Sequence, residues 1–108
     1  MKNVKIVVFV PLTHTDKVRE AIASAGGGVT GNYVHCSFSS QGTGRFRPNT
    51  KAKPHIGKAN QLEEIEEERI EFTCLKDKAK SVISAIKSVH PYEEVALDIY
   101  PLLQEKDL

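Results

Sequence analysis

The stretch RIEFTCLKDKAKSVISAIKSVHP, residues 69–91, changes its hydrophobic period from two to nearly four within a few residues. Ile70, Phe72 and Cys74 alternate with Arg69, Glu71 and Thr73, as in a strand with one face buried. Ala79, Val82, Ile83 and Ile86 then share one helical face, with Asp77 as the expected N-cap and Pro91 closing the helix. A strand that feeds a helix this directly is half of a β-α unit. The rest of the chain supplies what that half pairs with.

Towards the N-terminus, Val4 to Leu12 is rich in β-branched residues and apolar on both pleat faces from Ile6 onward, which suits a central strand. Thr13 or Thr15 is the expected cap of a first helix whose inner face is Val18, Ala21, Ile22 and Ala25. Gly26 to Gly28 ends it, because glycine adopts the left-handed cap conformation without steric cost. Tyr33 to Ser39 alternates again, which predicts a second strand with Val34, Cys36 and Phe38 inward. From Gln41 to about Asn60 the pattern dissolves into Gly, Pro, Lys and Asn, predicting a long excursion. Towards the C-terminus, Val95, Leu97 and Ile99 alternate as a last strand before Pro101, and residues 104–108 form a polar tail expected to fray.

The order is therefore β-α-β-β-α-β. The fold class expected is α+β, a ferredoxin-like sandwich of four antiparallel strands with two helices on one face. Right-handed crossovers put the first and third strands in the centre. The other sheet face, where Tyr33, His35, Arg69 and Glu71 are expected, is left open to solvent or another subunit. A length of 108 residues leaves room for one domain, expected to span 1–108.

Composition excludes several function classes. The net charge of +1 supplies no global field for nucleic acid or an anionic membrane. The apolar run Val4–Val10 is too short for a membrane span, and no small-residue cleavage site follows it. Cys36 and Cys74 are too few for a disulfide framework and lack C-x-x-C spacing, so a cytoplasmic protein is expected.

Chemistry concentrates in two places. No acidic residue occurs between Ala21 and Leu62, and Arg45, Arg47, Lys51, Lys53 and Lys58 cluster in the second half of that span. Glu63, Glu64, Glu66, Glu67 and Glu68 follow at once. Two hairpin arms with opposite charges pairing across the ladder is one reading. The other is an anion site, with backbone amides around Ser39, Ser40, Gly42, Thr43 and Gly44 and charge from Arg45 or Arg47. The second place is His90-Pro91-Tyr92-Glu93-Glu94, an imidazole, a phenol and two carboxylates in one turn. No nucleophile or charge-stabilising motif accompanies it, so no catalytic set is assigned and an enzyme is not expected. His14, His35, His55 and His90 lack metal-ligand spacing, and no metal or cofactor is assigned.

Two motifs carry a family resemblance. Residues 31–48, GNYVHCSFSSQGTGRFRP, and residues 90–101, HPYEEVALDIYP, resemble the PII-like domain inserted into some Nif-three proteins of the YqfO type. The likeness runs from the first strand to Pro101. The turn His90-Pro91-Tyr92-Glu93 is also similar to one in the CutA divalent-cation-tolerance proteins. The resemblance implies a ferredoxin-like fold, a homo-oligomer with a trimer favoured, and ligands near subunit clefts and the excursion. The ligand-binding residues expected are Ser39, Gly42, Thr43, Gly44, Arg45, Arg47, His90, Tyr92 and Glu93. The two-metal site of full-length Nif-three proteins belongs to flanking domains that this length does not encode. The function expected is a self-associating binding or regulatory module whose specific ligand the sequence does not identify, a small anion or a divalent cation being the candidates. A CutA-like divalent-cation binder and an interaction domain docking onto a partner protein are the alternatives.

Overall fold

The computed structural model describes residues 2–108. In chain order it contains β1 (Asn3–Pro11), a 3-10 turn (Leu12–His14), α1 (Thr15–Ser24), β2 (Phe38–Phe46), β3 (Glu63–Leu75), α2 (Lys76–Val89), β4 (Leu97–Pro101) and a last 3-10 turn (Glu105–Asp107). The sheet order is β2-β3-β1-β4 with every neighbouring pair antiparallel. The expected ferredoxin-like order and central strand pair are therefore present. Among the described residues no helix is long and apolar enough to cross a membrane.

Register decides what is inside. Val4, Ile6, Val8 and Val10 of β1 stand opposite Cys74, Phe72, Ile70 and Glu68 of β3. All but the last join Val18 and Ile22 of α1 and Ala79, Val82 and Ile86 of α2 in one core. Glu68 is 8% exposed on this same helix-facing side, and the Arg19 guanidinium of α1 pairs with it there. On the open face, Lys5 Nζ and Arg69 Nε each lie 3.3 Å from the Glu71 carboxylate.

The helix ends differ from expectation at the start and agree at the finish. Neither Thr13 nor Thr15 caps α1. The 3-10 turn runs straight into the helix, so the N-cap is His14, with no side-chain cap bond and no extended residue from which a threonine hydroxyl reaches the first amides. Thr13 Oγ1 instead pairs with His14 Nδ1 at 2.7 Å, and Thr15 Oγ1 donates to Leu12 O at 3.4 Å. Likewise β3 enters α2 through Leu75, which leaves Asp77 inside the first turn rather than at the cap, where it still faces the favourable end of the dipole. At the end of α1, Gly26 takes φ +97°. Its N–H donates to Ala23 O and that of Gly27 to Ile22 O, which closes the helix with two reversed bonds as the glycine run predicts.

The largest correction concerns residues 30–46. Tyr33–Ser37 is not a strand: Thr30 and Tyr33 exchange both backbone hydrogen bonds in a tight turn, and His35 sits at φ +59°. Tyr33 and His35 therefore lie outside the sheet. Pairing begins at Phe38, which stands opposite Glu71 on the open face and is 67% exposed, the reverse of its expected side. It then continues through the glycine-rich run to Phe46, because the long β3 supplies a ladder partner for every residue from Phe38 onward. The excursion shrinks to residues 47–62. Val95 packs on the core from outside β4, and the polar tail folds into its 3-10 turn, where Gln104 N–H donates to Asp107 Oδ2 at 2.8 Å.

Candidate functional site

The turn after α2 is fixed by one histidine. Pro91 cannot donate the next helical hydrogen bond, so α2 stops at Val89, with His90 N–H donating to Ile86 O at 2.9 Å. The His90 ring, 7% exposed, then turns back onto the sheet. Its Nε2 lies 2.7 Å from Phe9 O, and its Nδ1 accepts from Tyr92 N–H at 3.2 Å. A carbonyl can only accept, and Nδ1 is already accepting. The ring is therefore neutral with its proton on Nε2. Burial lowers the His90 pKa, His14 and His55 add to the lowering, and the Phe9 bond and Glu67 oppose it.

Tyr92, held by that bond, is the hub of an aromatic cluster. Its ring centroid lies 4.9 Å from His90, 6.3 Å from Phe46 at the end of β2, and 6.4 Å from His55. His14 meets His55 edge-on at 6.0 Å. The Tyr92 hydroxyl is buried and has no hydrogen-bond partner of good geometry. Burial, followed by the adjacent Glu67 carboxylate, raises its pKa. Segment 47–62 closes over this cluster, and Lys53 N–H donates to Glu93 Oε2 at 2.8 Å, tying the segment to the turn.

Between them lies a cavity of about 340 Å3. Phe46, Pro48, Pro54 and Ile56 give it apolar walls, and Arg45, Arg47, Glu67, Glu93 and Glu94 bring charges of both signs. Arg45 Nε donates to Glu64 Oε1 at 3.1 Å directly across the β2–β3 ladder, which is the expected pairing of opposite charges between hairpin arms. Arg47 makes no ion pair among the described residues. Glu67 also lines a second cavity of about 220 Å3 on the open face, over Gly42, Thr43 and Gly44. It reaches both because Gly44 has no side chain: a Cβ there would fall on the Glu67 carboxylate.

The structure thus brings together Arg45, Arg47, Tyr92 and Glu93, with His90 beneath them. It does not bring the rest of the expected set to the same place. Gly42, Thr43 and Gly44 belong to an edge strand and line the second cavity, while Ser39 pairs with Ile70 and lines neither. Their backbone amides lie along a ladder rather than converging as a loop. Phe46 and Ile56 were not singled out from sequence, and His55 and Glu67 stood out only as one of four scattered histidines and one of an acidic run. Among the described residues no group of three or more His, Cys, Asp or Glu is placed to hold a metal ion. Cys36 and Cys74 are both free.

No family model matches the chain. It is 50% identical over 101 residues to a Halalkalibacterium halodurans protein named "GTP cyclohydrolase 1 type 2 homolog", covering 94% of this chain and 27% of that protein. A Bacillus subtilis protein of the same name is 48% identical over 100 residues. Among solved structures, a Bacillus cereus protein related to NIF3 superposes with TM-score 0.81 at 48% identity, over 94% of this chain and 26% of that one. The chain is therefore a relative of about one quarter of these NIF3-related proteins and spans only that share of their length. CutA from Archaeoglobus fulgidus matches with TM-score 0.69 at 12% identity, covering 94% of this chain and 85% of that one. Bacillus subtilis GlnK, in a complex with ATP, matches with TM-score 0.62 at 16% identity, covering 94% and 84%. These last two likenesses show a shared fold.

Proposed function

We propose that this relative of one segment of NIF3-related proteins is a self-associating, PII-like binding module of the cytoplasm, and that its ligand site is the cavity over Tyr92. The observation that carries the reading is convergence. The Arg45–Arg47 end of one family-like motif and the Tyr92–Glu93 turn of the other lie far apart in sequence, yet they line one apolar-walled cavity with convergent polar groups. Ferredoxin-like neighbours support the module reading at the level of fold. The open sheet face, with Phe38 and Tyr100 both exposed, is the surface proposed for self-association into a trimer.

Binding rather than catalysis is proposed because the turn supplies acids and a phenol with no nucleophile beside them. The cyclohydrolase label belongs to proteins of which this chain matches about a quarter, and it is not carried over. Amide NMR titration with a panel of small metabolites tests the site. Shifts concentrated in residues 45–56 and 90–96 are expected, and a panel that leaves those residues unmoved overturns it. Sedimentation velocity tests the assembly, for which a stable monomer at all concentrations is the contrary result.

A further inference from the structure

Two charged groups at this cavity carry no ion pair among the described residues, and a buried hydroxyl lies beside one of them; together they define a ligand chemistry. The Tyr92 hydroxyl is buried, with the Glu67 carboxylate as its neighbour and no hydrogen bond of good geometry. The Glu67 carboxylate stands beside it with no cation on it, and the Arg47 guanidinium has no carboxylate. Arg45 is already occupied by Glu64, and Glu93 by the Lys53 amide. Arg47 is exposed and Glu67 half-buried, so both are open to a ligand at the mouth of an apolar-walled cavity, and the buried Tyr92 hydroxyl lies within it.

Charge narrows the class. An anion would meet Arg47 but would also face Glu67, Glu93 and Glu94, three carboxylates against two guanidiniums. A simple cation would leave Arg47 open. A molecule with both charges and an apolar body satisfies Glu67, Tyr92 and Arg47 together. Its ammonium donates to the Glu67 carboxylate and to Tyr92 Oη, and its carboxylate takes the two parallel N–H groups of the Arg47 fork. Its side chain packs on Phe46, Pro54 and Ile56. The volume of about 340 Å3 is at the small end for ligand pockets, the scale of a single amino acid. Resting on the assignment of this cavity as the ligand site, we propose that it binds a zwitterionic apolar α-amino acid.

The test is calorimetric and NMR titration of the full chain with leucine, leucinamide and N-acetyl-leucine at millimolar concentrations. Leucine is expected to bind and to shift Arg47, His55 and Tyr92. Each derivative, lacking one charge, should bind at least about ten-fold more weakly. Arg47→Gln should erase the preference over leucinamide, and Glu67→Gln the preference over N-acetyl-leucine, while both variants keep a folded amide spectrum. Leucine binding that neither variant alters overturns the proposal, because the ligand then sits elsewhere. If leucine, valine and phenylalanine leave the cavity unmoved while citrate or inorganic phosphate shifts it, the amino-acid proposal fails and the ligand site stands. If no compound moves those residues, both fail.

Discussion

Replacing His90 with glutamine should flatten part of the acid sensitivity of folding, and the reason lies in two hydrogen bonds. The neutral ring donates to Phe9 O at 2.7 Å and accepts from Tyr92 N–H at 3.2 Å. Protonation places a hydrogen on Nδ1, where it faces the Tyr92 N–H donor. That amide is left unpaired in a half-buried turn, at a cost of about 1–3 kcal/mol. The bond to Phe9 strengthens once the ring is charged, and Glu67 also favours the imidazolium, so about 1–2 kcal/mol net is expected. Because the folded pKa is lowered, the unfolded chain takes the proton first. The contribution is complete above the ordinary imidazole pKa of about 6.5 and is lost as pH falls through that value toward the folded pKa, below which it stays flat. For a urea slope of about 1–2 kcal/mol/M, the wild-type midpoint should drop by about 1 M more than that of His90→Gln over this window. Glutamine keeps a donor for Phe9 without a titrating group, so the difference between the two curves isolates His90 from the other three histidines. Parallel curves refute the argument, as does a nitrogen NMR spectrum that places the neutral proton on Nδ1.

Three further outcomes follow from named contacts. Arg19→Ala strips the partner from Glu68, which is 8% exposed, and should cost about 2–3 kcal/mol by urea denaturation, a penalty that eases when Glu68→Gln is added. Gly44→Ala puts a methyl group where the Glu67 carboxylate lies; Glu67 and Tyr92 resonances should both move while the α1 and α2 amides stay in place. Tyr92→Phe removes a buried hydroxyl without a bonded partner, so the urea midpoint should hold or rise, and a loss above about 1 kcal/mol would mean that the hydroxyl is bonded after all.

How much of this was legible depended on whether a residue's role is set by its own neighbours in sequence or by something distant. The helices and the two central strands were readable because their periodicity is local: Ile70, Phe72 and Cys74, then Ala79, Val82 and Ile86, are apolar at the spacing of the element that buries them. The glycine cap of α1 was readable for the same reason. β2 was not, since Ser-Ser-Gln-Gly-Thr-Gly has the composition of a turn and becomes a strand only because β3 extends to Glu63 opposite it. Edge strands tolerate such residues, having one partner and little to bury. Once β2 is displaced in this way, the alternation of Tyr33–Ser39 loses its meaning, which is why Phe38 emerged on the wrong face.

The site shows the same division in sharper form. His90, Tyr92 and Glu93 announce themselves as a dense cluster in one turn, and Arg45 and Arg47 as charge beside glycine. Glu67 does not, because it is one of five glutamates in six positions whose members have four different fates. Glu64 pairs with Arg45 on the ladder, Glu66 is exposed, Glu67 crosses Gly44 toward Tyr92, and Glu68 turns inward to Arg19. One of these was within reach: extending the alternation of Ile70 back by one more step puts Glu68 on the inner face, and a buried carboxylate demands a cation. Glu67 had no such signal, since Tyr92 lies 25 positions away, beyond the rest of β3 and the whole of α2. What sequence could supply is the pairing of two clues, a glycine in a strand and a carboxylate opposite. Gly44 in an edge strand costs stability unless something lies across it, and in this fold the Glu67 carboxylate does. A glycine retained at such a cost marks the place where a side chain from the neighbouring strand crosses the sheet, and here that crossing leads to the cavity over Tyr92.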